Sequence, residues 1–168
     1  MNSYRENMLT SLNLALALHE NLTGSEKCRA QAAVEAINRI RDILHRKADE
    51  LGYVSACVRS IPACRGECCK WHFPQNLDCT DFFVMLSAIP QEEHASLEKR
   101  LSKESRMHQC PFLDPHGCIF SFSARPLVCS NAWPCFMGDE YHAFLEAQRR
   151  NISAQYAVLK ELRTLHKI

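Results

Sequence analysis

Eight cysteines fall in three tight groups, and thiolates at such spacing do metal or redox chemistry. The first group reads Cys57-Val-Arg-Ser-Ile-Pro-Ala-Cys64-Arg-Gly-Glu-Cys68-Cys69. The second reads Cys110-Pro-Phe-Leu-Asp-Pro-His-Gly-Cys118, and the third runs from Arg125-Pro-Leu-Val-Cys129 to Trp133-Pro-Cys135. Glycine and proline flank these thiols. A metal knuckle needs such turns, because several sulfurs must converge on one point. Thiolates are soft ligands matched to zinc and to iron–sulfur clusters. One tetrahedral zinc takes four ligands, and one cubane cluster takes four cysteines. Eight thiols exceed either need, so two metals, or one cluster with spare thiols, would use them.

The spacing within the first group limits how it can bind. If Cys64 to Cys69 forms a helical turn, Cys64 and Cys68 share a face. Cys69 then points about 100° away. In an extended chain Cys68 and Cys69 would point to opposite faces. The adjacent pair therefore suits a cluster, a two-metal site, or one ligand beside a supporting thiol. His72, His108 and His116 lie close by as surface or supporting groups. Arg125 could donate hydrogen bonds to the thiolates. Cys28 and Cys79 stand outside the groups and read as small apolar residues in the core.

At these residues the chain resembles the YkgJ-type cysteine-cluster family, a zinc- or iron-chelating domain of bacteria and archaea. The resemblance rests on Cys64-Arg-Gly-Glu-Cys68-Cys69, Cys110-Pro-Phe-Leu113, Cys118-Ile-Phe120 and Arg125-Pro-Leu-Val-Cys129, in that order. It covers about half the chain. It implies metal ligation by Cys57, Cys64, Cys68, Cys69, Cys110, Cys118, Cys129 and Cys135. Two departures stand out. The Cys57 to Cys64 spacing is wider than the family's, and Phe120 stands where the family often has Tyr. A related cluster in flagellin lysine methylases looks like an iron–sulfur site. The resemblance thus implies zinc or iron as cofactor, and leaves open an iron–sulfur redox or radical-type enzyme. It does not imply a particular reaction.

The chain as a whole sets further bounds. It has 168 residues, 46% of them hydrophobic, with Lys plus Arg 20 against Asp plus Glu 19. That balance gives no pull toward nucleic acid or an anionic membrane. No apolar run approaches the ~20 residues that span a bilayer. Leu12 to Leu18 imitates a signal sequence, but Asn13 interrupts it and Glu6 sits beside Arg5. A cytoplasmic, reducing location follows as the expectation, in which clustered cysteines read as metal ligands or redox centres rather than as structural disulfides. The sequons at Asn21 and Asn151 would then carry no sugar.

The elements that must position these thiols fall into three parts. Residues 1–52 read as a helical hairpin. Met8, Leu12, Ala15 and His19 form one stripe, and Ala33, Ile37, Ile40, Leu44, Ala48 and Leu51 form the other. Thr23-Gly24-Ser25 separates them, with Ser25 as N-cap and Gly52 as stop. Residues 53–137 form the cysteine module, with nine of the ten cysteines and all seven prolines. Its chemistry should sit on turns and short elements. Thr80 would cap a helix over Asp81 to Ala88, and Pro90 would open one over Gln91 to Glu104. Ile119 to Ser123 reads as extended. Residues 138–168 read as one long helix, from Asp139 to about Lys167. The fold class expected is mainly α, with the hairpin and the long C-terminal helix packed around an irregular cysteine-rich metal-binding centre. Amphipathic helices of this kind also admit a protein partner or homo-oligomer.

Three functions follow in order: metal chelation, an iron–sulfur redox or radical-type enzyme, and a thiol–disulfide switch. The enzyme lacks a nucleotide-binding glycine loop and the Cys-x3-Cys-x2-Cys pattern of radical enzymes. The switch comes last because no Cys-x-x-Cys opens a strand-to-helix unit.

Overall fold

The computed structural model describes residues 4–64, 67–71, 76–102, 110–114, 117–131, 133 and 138–167; at 61, 62, 64, 70, 71, 117 and 131 it describes the backbone alone. The described chain is mainly helical, as its apolar periodicities require.

Helix α1 spans Tyr4–Asn21 and buries Met8, Leu12, Ala15 and Leu18. Leu18, rather than His19, completes the stripe. Helix α2 spans Gly24–Glu50 and buries Ala33, Ile37, Ile40, Leu44 and Ala48, while Leu51 stays half-buried. Its N-cap is Thr23, not Ser25. Only Thr23 has a carboxylate three residues on that reaches back: its N–H and hydroxyl donate to Glu26 Oε2 at 3.0 and 2.7 Å. Gly52, at φ +75°, makes the stop.

The expected hairpin gives way to a different pairing. Helix α8, Asp139–Leu165, packs along α2, while α1 packs on helices α5 (Cys79–Leu86) and α6 (His94–Ser102). Helix α5 is apolar on every side and buries Phe82, Phe83, Val84, Met85 and Leu86. A helix of that kind must be surrounded, so it draws α1 onto itself. The apolar core joins residues of the N-terminal, central and C-terminal parts.

Asp78 caps α5, in place of Thr80. Its Oδ1 accepts from the N–H groups of Thr80 and Asp81 at 2.8 and 3.1 Å. Asp81 in turn accepts the Asp78 N–H at 3.1 Å and the Tyr156 hydroxyl at 3.0 Å, which ties α5 to α8. Asp78→Ala should lower stability to urea by about 1 kcal/mol, the usual worth of a cap; an unchanged urea midpoint would contradict this role.

The cysteine module is more regular than expected. A 12-residue helix α3, Tyr53–Cys64, follows Gly52 directly, and a short helix α4 covers Glu67–Trp71. Behind Pro90 a 3-10 turn over Gln91–Glu93 leads into α6; positions 103 and 104 of the expected helix lie outside the described residues. Strands β1, Leu113–Asp114, and β2, Gly117–Cys118, pair antiparallel with Leu113 opposite Cys118. Ile119 to Ser123 is not extended: it bends into a 3-10 turn, Phe122–Ala124. Pro126 opens a further short helix α7, Leu127–Asn131, carrying Cys129. No helix among the described residues is long and apolar enough to cross a membrane.

Candidate metal centre

Backbone bonds bring the second cysteine group to α4, and one buried side chain fixes the turn that leads into the third. Cys110 N–H donates to the Cys69 carbonyl at 3.2 Å, so the segment entering β1 docks against α4. Leu113 N–H returns to the Cys110 carbonyl at 3.2 Å, which makes a tight turn. Phe112 is buried in that turn and meets Phe120 with ring centroids 5.0 Å apart. The β1–β2 pair then delivers Cys118 beside this turn. Phe120 serves packing here, as its position in the core requires.

Cys129 arrives through Arg41. This arginine is 1% exposed on α2. It donates to Asn38 Oδ1 at 2.6 Å, to the Arg125 carbonyl at 2.8 Å and to the Ser123 carbonyl. Its Nε is buried without a hydrogen-bond partner among the described residues. Arg41 thereby pins the turn that precedes α7. Periodicity places position 41 on the buried side of α2, next to Ile40 and one turn from Ile37 and Leu44, but a charged residue there reads as solvated rather than as a staple. Arg125 holds the same turn by donating from Nε to the Phe120 carbonyl at 3.3 Å.

The thiols perturb one another. The Cys69 thiol is pushed strongly up by its hydrogen bond with Cys68, then by burial, then by Cys68, Cys110 and Cys118 as potential charges. Burial pushes Cys110 up to about 11; Cys118 adds to this, while the Phe112 N–H and Arg5 oppose it. Burial pushes Cys129 up to about 12, with Cys110 and Cys118 adding and Arg125 opposing. Cys69 and Cys129 thus each feel Cys110 and Cys118, and burial and like charge hold the Cys69, Cys110 and Cys129 thiols above the ordinary thiol range, in the protonated form at neutral pH. Low dielectric and like charge disfavour several bare thiolates together. A soft cation would relieve both penalties.

Cys68 and Cys69 make direct contact through that hydrogen bond, although they project about 100° apart on α4. In α3 the helix sets positions 57 and 64 two turns apart, about 10 Å along the axis. Sulfur ligands of one tetrahedral zinc stand only about 4 Å apart. Cys135, His72, His108 and His116 lie outside the described residues, as does the Cys64 side chain.

Among the described residues no three of His, Cys, Asp or Glu form a set that could hold a metal ion as they stand. The chain matches no family model, no curated protein and no solved structure. The donor chemistry still suits a soft metal: Cys68, Cys69, Cys110, Cys118 and Cys129 are free thiols, half-buried, and Cys129 lies near Arg125. Cys79 is buried in the core as expected, at 1% exposure. Cys28 is not: it is exposed on α2, because its position falls off the apolar stripe of that helix.

Proposed function

We propose that this protein binds zinc or iron through its cysteine cluster, with Cys69, Cys110, Cys118 and Cys129 at the centre. Cys57, Cys64, Cys68 and Cys135 complete the set of eight, as ligands of a second ion or as spare thiols beside one cluster. The mutual perturbation of thiols from α4, the strand pair and α7 carries this reading. The resemblance to the YkgJ-type family agrees with it. A metal bound there would supply charge to offset several thiolates and would tie three segments together. The chain's own part is to hold the thiols half-buried and neutral until a cation displaces their protons.

Iron–sulfur ligation would use the same thiols, and the vicinal pair Cys68–Cys69 favours a cluster over a single zinc. A thiol–disulfide switch fits less well. Such a switch needs low-pKa thiols, whereas burial pushes Cys110 and Cys129 the other way. The reading places the protein in a reducing compartment such as the cytoplasm.

Metal per chain in serine variants tests the assignment. Cys69→Ser, Cys110→Ser and Cys129→Ser should each lose most bound metal, and Cys28→Ser and Cys79→Ser should lose none. Equal metal content in all five would reject it.

A further inference from the structure

Between α1, α2 and the end of α5 lies an open groove of about 630 Å³, within the range of small-ligand sites. Its apolar wall includes Leu22 and Phe83, both nearly buried, and the His19 ring, which stacks on that of Phe83 at 4.0 Å and 19°. His19 Nε2 is engaged with the Phe83 carbonyl at 3.3 Å and with Ser87 Oγ at 3.3 Å, which fixes the ring as a flat surface. Burial holds His19 below its ordinary value, so it is neutral at pH 7.

The other wall is a polar ridge on α2. Lys27, Gln31 and Glu35 follow at i, i+4 and i+8, and all three line the groove. Gln31 donates to Glu35 at 3.1 Å. Among the described residues neither Lys27 nor Glu35 has an ion-pair partner. Eight helical residues separate these opposite charges by about 12 Å along the axis. Three extended peptide residues span about 10–11 Å.

We propose that this groove binds a short zwitterionic peptide of about three residues. Its carboxylate lies at Lys27, its ammonium group lies at Glu35, and an apolar side chain rests on the His19–Phe83 stack. The charges at the two ends select a zwitterion over a fatty acid, which would leave Glu35 facing alkyl chain. This site is independent of the cysteine centre, since it uses none of those thiols.

Cys28 lines the same groove and is exposed, so it reports occupancy. The full-length protein is alkylated with a maleimide in the presence of Ala-Phe-Ala, and modification of Cys28 is mapped by mass spectrometry. Saturable protection of Cys28 is expected. N-acetylation or C-amidation of the peptide should each weaken protection about three- to fivefold, the effect of an exposed ion pair. Lys27→Gln should abolish the difference between acid and amide, and Glu35→Gln the difference between amine and acetyl. Absence of protection at millimolar peptide, equal protection by the doubly blocked peptide, or unchanged discrimination in both variants would each overturn the proposal.

Discussion

Zinc affinity is expected to rise by at least about three decades per pH unit between pH 6 and 8. The sign follows from the thiols. Burial pushes Cys110 up to about 11 and Cys129 up to about 12, and its contact with Cys68 pushes Cys69 up as well. All three are protonated across this window. Each must lose a proton to become a ligand, and each proton released contributes about one power of ten per pH unit. A competition titration against a chelator of known proton stoichiometry measures this slope. A slope near zero would mean that the metal does not displace these protons. Replacement of Cys110 by serine should reduce the slope by about one.

Arg41→Met should destabilise the fold by about 2–3 kcal/mol. Two opposed effects decide the size. The substitution removes a buried cation that no described carboxylate contacts, which relieves a desolvation penalty. It also orphans the carbonyls of Ser123 and Arg125 and the Asn38 side chain. Hydrogen bonds to a charged donor contribute about 1.5–3 kcal/mol each. Three such bonds outweigh the relief, because the guanidinium has already replaced its water. Urea unfolding measures the loss, and amide exchange should quicken over residues 121–131, next to Cys129. Stability unchanged within about 0.5 kcal/mol would show that Arg41 does not pin that turn.

The periodic helices were legible because a stripe of Ala33, Ile37, Leu44 and Ala48 has one physical use. Their pairing was not. Sequence proximity suggested α1 against α2, but the all-round apolar surface of α5 draws α1 away, and α2 packs with α8. Proline density around the cysteines points to turns and short elements. It concealed α3, whose Pro62 lies in the last turn of the helix. The caps stand two residues ahead of Ser25 and Thr80, at Thr23 and Asp78. In both cases a carboxylate three positions beyond the true cap decided the site. The cysteine groups stood out by spacing alone. That Arg41 secures the third group was hidden, because its partners lie more than eighty residues away in sequence.

The link between thiol convergence and metal binding has one most direct test. The unmodified chain is prepared without oxygen, and its zinc, iron and acid-labile sulfide are quantified per polypeptide. Stoichiometric zinc or iron, lost together with the reactivity protection of Cys69, Cys110 and Cys129 on chelation, is the expected result. Protein that is folded, metal-free and unable to take up either ion at pH 8, with these three thiols freely alkylated, would contradict it.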